Sequence, residues 1–380
     1  VAEGDPLYGR RAADGVLSIQ RDFGKDSHVR LFATDREFSS SYNRLMSMDA
    51  RLHLKGDFFL AAQAVTTQSR ALGMGGISGN SYYLKLNRST RKFQYYSQYT
   101  DRSPNFRADL GYIPRTDIRE FKSRVGRLWW PEKRTLVSFG PAFIVSGNWN
   151  RLGQNQDWEA DVEWDMTFKR LTTATVSHGE IFELYKGAGF RKRQNSYVFS
   201  SEWFKWLAVD ATFNHGSSVN YYPAAGYAPF LGRGQDGRLG VTLRPNKRLR
   251  LDETYIYSHL RTEPGWRAGG GATAIYNNHI ARSKANFQLT PAVSFRAIVD
   301  YNGVLPNAAL VSLDRTKRIG YDFLFTYLLH PGTAFYAGYT DIYQNWMLNP
   351  AKPPYLTLTG FPDLNTGRQV FVKLSYLFRF

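Results

Sequence analysis

Five carboxylates stand at alternate positions in one short stretch: Asp157, Glu159, Asp161, Glu163 and Asp165. Carboxylate oxygens suit hard cations, so such a row has two chemistries open to it, a cation site or selectivity element and a set of ion pairs. The chain carries 49 Lys and Arg against 32 Asp and Glu, with Lys122, Arg124, Arg170 and the Arg191-Lys192-Arg193 run as candidate partners. Pairing is the weightier reading, because so basic a chain offers counter-charges everywhere. Catalytic chemistry finds little purchase. His28, His53, His178, His215, His259, His279 and His330 are scattered, and none shows metal spacing such as His-Glu-x-x-His. Ser177 and His178 are adjacent and face opposite ways on an extended segment, so they form no nucleophile–base pair. No Gly-x-Ser-x-Gly, phosphate loop or dinucleotide fingerprint occurs. With no cysteine there is no thiolate metal site, disulfide or thiol nucleophile. The expectation is a non-enzyme with no metal and no cofactor; a hydrolase gathered from distant segments is the least favoured alternative.

A second constellation lies at 102–118, where Asn105, Arg107, Asp109, Arg115 and Asp117 are mixed with Phe106, Tyr112 and Pro114. It reads either as a loop held in shape by its own ion pairs or as a constriction or latch loop. In the second case Asn105, Phe106, Arg115 and Asp117 are the working residues, and Arg115 and Asp117 face an inner passage. Two further linkers are apolar. Residues 218–232 carry no charge and include Tyr221, Tyr222 and Phe230, while 345–362 include Trp346, Tyr355 and Phe361. Apolar loops in water are an aggregation liability, so these are expected to fold inward as a lid or to dock on a partner protein or saccharide.

The elements that must position these residues are strands. In 157–168 the even positions are Trp158, Ala160, Val162, Trp164, Met166 and Phe168, opposite the acidic row. Period-two alternation gives a strand one apolar and one polar face, whereas a helix would smear both sets around its circumference. Met46, Met48, Ala50, Leu52 and Leu54 alternate likewise, as do Val293, Phe295, Ala297, Val299 and Tyr301. Nineteen such segments follow one another from 15–23 to 368–380, with no amphipathic helix longer than two turns. Mean hydropathy is −0.42 and no stretch of 18 mainly apolar residues exists, so no transmembrane helix is encoded. A hydrophobic fraction of 43%, with 16% aromatics, excludes a disordered chain.

From residue 55 onward the linkers alternate strictly between tight and long. The tight ones fall at Lys55-Gly56, Thr90-Arg91, 131–134, Arg170, Lys205-Trp206, Lys247, Thr290-Pro291 and Pro331-Gly332. The long ones are 69–79, 102–118, 149–156, 185–193, 218–234, 262–274, 305–313 and 346–367. Short turns at one end and long loops at the other characterise a transmembrane β-barrel, with the turns periplasmic and the loops extracellular. A soluble sandwich also alternates, but it does not need nearly every strand to reach the length that crosses a bilayer obliquely. Trp129, Trp130, Trp203, Trp206, Tyr255 and Tyr257 sit where interfacial belts belong, at strand ends. Tyr376, Phe378 and Phe380 alternate up to the C-terminus, the aromatic signature by which barrel-insertion machinery takes its substrates.

Bacterial single-chain barrels have even strand numbers, so nineteen segments imply about twenty strands, with one preceding Val1; about eighteen is the alternative. The net charge of +17 and pI near 9.8 suggest nucleic acid at first sight. Binding it requires a basic groove with stacking aromatics on one face, whereas these basic clusters sit largely at turns. No nucleic acid is therefore expected; the charge is divided among an inner face, lipid and lipopolysaccharide phosphates, and turns.

Three sequences carry a resemblance: Gly15-Val-Leu-Ser-Ile-Gln-Arg-Asp, Ser41-Tyr-Asn-Arg, and Asn105-Phe-Arg-Ala-Asp-Leu-Gly-Tyr-Ile-Pro-Arg-Thr-Asp117. Gly15 to Asp117 resembles the uncharacterised outer-membrane β-barrel family that follows a carbohydrate-binding family-nine-like domain, with the remainder similar only in style. The resemblance implies a periplasmic sugar-binding-like domain upstream and supplies no activity. The combined expectation is an all-β, antiparallel up-and-down transmembrane β-barrel over 15–380, with a leading segment at 1–14, in the outer membrane of a Gram-negative bacterium. Its role would be a channel or translocation scaffold with a charged polar lumen, or alternatively an anchor or partner-complex subunit with a plugged one.

Overall fold

A computed structural model describes residues 8–266, 273–330 and 332–377. Among these there is no helix. The strands are β1 (Ala12–Phe23), β2 (Ser27–Phe38), β3 (Ser41–Leu54), β4 (Phe58–Arg70), β5 (Gly76–Ser89), β6 (Phe93–Arg102) and β7 (Ile118–Arg127). Then come β8 (Leu136–Trp149), β9 (Asn155–Phe168), β10 (Thr172–Tyr185), β11 (Ala188–Phe204), β12 (Leu207–Asn220), β13 (Phe230–Leu243) and β14 (Leu249–Thr262). The last are β15 (Ala274–Gln288), β16 (Val293–Pro306), β17 (Thr316–His330), β18 (Thr333–Gln344), β19 (Trp346–Asn349), β20 (Tyr355–Leu358) and β21 (Leu364–Ser375). Nineteen of them form one sheet, and β19 and β20 form a separate hairpin. Sequence neighbours pair antiparallel from β1 to β8 and from β11 to β18, and β21 pairs with β18. This is the all-β, up-and-down class that the alternation predicts.

Two compact units divide the chain. The first takes the described residues up to Trp130 with Phe139–Trp164 and Gly179–Arg191; the second takes Pro131–Ser138, Asp165–His178 and the described residues from Lys192 onward. In the first unit, register aligns Leu17 with Ala33, Ala33 with Met46, and Met48 with Ala64, so one face is a continuous apolar sheet. That face is bare: Ile19 is 58% exposed, Met46 67% and Leu84 49%. In the second unit Phe295, Ala297, Phe323, Phe325, Val370 and Val372 line an equivalent apolar surface. Apolar surface in water costs roughly 25 cal/mol per Å², so faces this extensive require lipid. The nineteen strands run from 10 residues in β6 to 17 in β11, enough to cross a bilayer obliquely. These are the strands of an outer-membrane β-barrel protein, and the outer membrane of a Gram-negative bacterium is its location.

The structure also corrects several boundaries. The segment at 185–193 is not a long loop: β10 and β11 are joined by Lys186 and Gly187 alone, with φ of 49° and 80°. Two successive positive-φ residues build the turn that matches strand twist, and the lone glycine supplies the second. Arg191, Lys192 and Arg193 therefore lie within β11 rather than at the rim of a loop. Strict alternation of tight and long linkers fails at this point and at 128–135, where eight residues join β7 to β8 against five at 71–75 and at 150–154. Tyr255 and Tyr257 stand in the middle of β14, not at its end. The leading segment is shorter than 1–14, since β1 begins at Ala12. The 346–367 linker contains the β19–β20 hairpin, whose four-residue strands are too short to show a period.

Candidate functional site

The 103–117 segment between β6 and β7 folds back onto the polar face of β3–β5. Its anchor is Asn43 on β3, only 1% exposed. Asn43 Nδ2 donates to Ser69 Oγ at 2.7 Å and to the Arg107 carbonyl at 2.9 Å, while Oδ1 accepts the Asp109 N–H at 2.9 Å. A side-chain amide is suited to this task because it joins two donors to an acceptor. Thr67 Oγ1 accepts the Arg107 N–H at 3.4 Å, and Ser103 Oγ accepts the Asn80 N–H at 2.9 Å. Phe106 is buried against Gly79: a Cβ there would stand 2.4 Å from the Phe106 backbone, so only glycine permits the approach. The Arg102 guanidinium lies 5.7 Å over the Phe106 ring and donates to the Arg115 carbonyl at 2.7 Å. Arg107 and Asp109 pair within the loop at 2.6 Å, and Asn105 is exposed.

The acidic row meets this loop. Arg115 Nη1 donates to Asp157 Oδ2 at 2.7 Å, and Asn148 Nδ2 donates to the same oxygen at 3.2 Å. Further along, Arg124 Nη2 reaches Glu163 at 2.7 Å, with both side chains about four-fifths shielded. Arg124 reaches past Ile144, its register partner on β8, which is flanked on the same face by the short Ala142 and Ser146. In the second unit Asp165 accepts from Thr175 Oγ1 at 2.8 Å. Lys122 turns instead to Glu120 at 3.0 Å, and Arg170 lies 5.2 Å over Trp203. Asp117 accepts the Arg151 N–H at 3.0 Å, while Arg151 and Arg119 both engage Asp101. Alternate carboxylates on a strand are about 7 Å apart and cannot converge on one ion by themselves. Among the described residues no group of three or more His, Asp or Glu is arranged to hold a metal.

The apolar linkers behave differently. In the second unit Pro223 bridges Val311, the Ala224 N–H donates to the Leu310 carbonyl at 3.1 Å, and the Ser312 N–H donates to the Tyr222 carbonyl at 2.8 Å. Leu310 and Val311 are buried with Leu260 and Ile275, and Phe230, Trp266 and Tyr276 pack around them. Trp266 stacks on Phe230 at 4.6 Å. These loops cover one another, although Tyr222 stays 65% exposed. The β19–β20 hairpin remains apolar and open, with Leu348 57% and Phe361 73% exposed. Lys317 holds its base by donating to the Gly360 carbonyl at 2.6 Å, beneath Phe361 at 5.6 Å. Trp346 pairs with Leu358 and Tyr355 with Asn349 within the hairpin. Of the C-terminal aromatics, Tyr376 is exposed beside His330; Phe378 and Phe380 lie outside the described residues.

Asn43, Thr67, Ser69 and Gly79, the seat of the 103–117 loop, are not singled out by sequence reasoning. A signal exists nonetheless. Their stretch of polar face carries short uncharged residues, including Ser47 and Ser81, where charged ones stand elsewhere, and Asn43, Ser47, Thr67, Ser69 and Ser81 are all buried. Asn43 itself belongs to Ser41-Tyr-Asn-Arg.

No protein-family model matches the chain, and no curated protein matches it. Among solved structures it is similar to the FrpB iron transporter from Neisseria meningitidis, at 9% identity and TM-score 0.49, covering 96% of this chain and 79% of that one. It is also similar to the siderophore receptor PirA from Acinetobacter baumannii, at 9% identity and TM-score 0.47, over 98% of this chain and 71% of that one. A third is the alcaligin outer-membrane receptor FauA from Bordetella pertussis, at 8% identity and TM-score 0.46, over 89% and 71%. Likenesses this distant decide neither substrate nor mechanism; fold class and location follow from the strands.

Proposed function

We propose that this chain is an outer-membrane channel for small hydrophilic solutes, narrowed by its own 103–117 loop. The observation that carries this reading is the docking of that loop on the polar face through Asn43 and Gly79. A charged loop held against the polar face of a transmembrane sheet would restrict passage and set selectivity through Arg107, Asp109, Arg115 and the acidic row. Planar-bilayer recordings of the purified protein test it. Stepwise conductance is expected, with larger steps when Gly79→Val displaces the loop. Silence from both proteins would sink the channel reading.

A second reading is favoured by the exposed apolar hairpin at Met347, Leu348, Tyr355, Leu356 and Phe361. It makes the chain a membrane anchor whose hairpin binds a partner protein. Stoichiometric co-purification in mild detergent, lost on Leu348→Asp/Phe361→Asp, would support it. Lipopolysaccharide at the rim and insertion machinery at the last strand complete the proposed partners.

A further inference from the structure

Several charged side chains of the second unit's polar face are neutralised in place. Arg238 pairs with Asp210, Arg282 with Asp300 at 3.2 Å, Arg250 with Asp252 at 2.9 Å, and Arg296 with Asp322 at 3.0 Å. The tight-turn end is different. A 790 Å³ cavity opens there among the β11–β12, β13–β14 and β15–β16 turns, and Lys205, Arg244, Lys247, Arg248, Arg250 and Arg296 line it. Among the described residues neither Lys205 nor Arg244, Lys247 or Arg248 has a carboxylate partner, and the two carboxylates that serve Arg250 and Arg296 sit one register row deeper.

The cavity is built rather than incidental. Arg250 pairs in register with Asn286, Asn286 with Arg296 and Arg296 with Leu324, so one row on the polar face crosses four strands. The backbone around it is fixed: the Arg244 N–H donates to the Trp206 carbonyl at 2.7 Å, and Asn246 Oδ1 accepts from the Arg248 and Leu249 N–H groups at 2.8 and 3.0 Å. Asn286, Gln288, Ser294 and Thr326 add neutral hydrogen-bonding groups. Arg296 Nε is shielded from solvent and makes no hydrogen bond among the described residues, while its Nη2 reaches Asp322.

We infer that this cavity binds a ligand carrying two or more phosphate groups. Arg248, the last residue of the turn before β14, and Arg250 on β14 are separated by about 7 Å, and Arg250 and Arg296 by about 10 Å across β15. Four cations without a carboxylate partner carry about twice the charge of one phosphate, whereas two linked phosphates match it, and planar guanidinium groups bind their oxygens bidentately. The two sources of this chemistry are a diphosphate lipid headgroup and a small soluble polyphosphate. The site stands whether or not the chain conducts.

Isothermal titration calorimetry of the purified full chain in zwitterionic detergent tests it with pyrophosphate as probe. A second arm measures co-flotation with phosphatidylcholine vesicles with and without diphosphatidylglycerol. Saturable binding in either arm is expected, identifying a soluble or a lipid source respectively. Arg244→Ala/Arg248→Ala should weaken it about tenfold or more, and Lys133→Ala/Arg134→Ala, a basic turn elsewhere, should leave it unchanged. Lys247→Glu supplies a milder variant if the double substitution fails to fold. Absence of binding in both arms, or equal loss in the two double variants, overturns the proposal.

Discussion

Two regions solve the same problem, a long loop that must not hang in water, by opposite means. The 103–117 loop is held by directed hydrogen bonds: Asn43 alone supplies three, and the loop's own side chains contribute ion pairs. The 221–229 and 307–315 loops are tied to each other by a few backbone hydrogen bonds, and what seats them is apolar packing of Leu310 and Val311 against Leu260 and Ile275. The difference follows what lies beneath. The first loop rests on a polar sheet face whose backbone and hydroxyl groups need partners, while the second pair meet each other beside apolar strand ends. Hydrogen bonds fix a geometry closely and tolerate one position only, whereas apolar packing is broader and worth more per residue.

The largest expected effect is that of Gly79→Val. Any Cβ at this position runs into the Phe106 backbone, so the 103–117 loop must leave its seat. Trypsin should then cut after Arg107 and Arg115 in folded protein that is otherwise resistant; continued protection would show that the seat is not Gly79. Leu260→Ala comes next, at about 2–5 kcal/mol for a large-to-small change in a buried cluster. Hydrogen exchange should accelerate at 221–229 and 307–315 and stay unchanged at 103–117. If both regions loosen together, the two devices are one cooperative structure and the contrast fails. Asn43→Ala should do the reverse at about 1–3 kcal/mol, freeing 103–117 only. Arg124→Gln is smaller again, since Glu163 can relax toward water; its readout is a reversal potential shifted toward cations in a salt gradient. The smallest effect belongs to Arg115→Ala, which breaks an exposed pair with Asp157 and should cost no more than about 1 kcal/mol, vanishing in molar salt.

Much of this was legible in the residues. Alternation at 157–168 assigns β9 and both its faces, because a strand's period of two leaves no freedom once one face is apolar. The same rule recovers all nineteen strands of the sheet. It stumbles at Lys186-Gly187, where a two-residue turn followed by Ala188-Gly189 looks like the start of a loop. It also misses β19 and β20, where four residues are too few to show a period. The acidic row was readable as a row, and its pairing with Arg124 was among the partners foreseen. That Lys122 would choose Glu120, and Arg170 the Trp203 ring, depended on register and could not be read.

The sequence by itself determined the class of fold, the membrane and the division of each strand into an apolar and a polar face, since these depend on near neighbours in the chain. Only the tertiary structure decided what each polar face holds. Asn43 meets Ser69, Arg107 and Asp109, partners 26 to 66 positions away, and the basic cavity joins three turns between Lys205 and Thr326. Hydrogen bonds and charge clusters of that reach are set by which strands register side by side, and no local pattern encodes them.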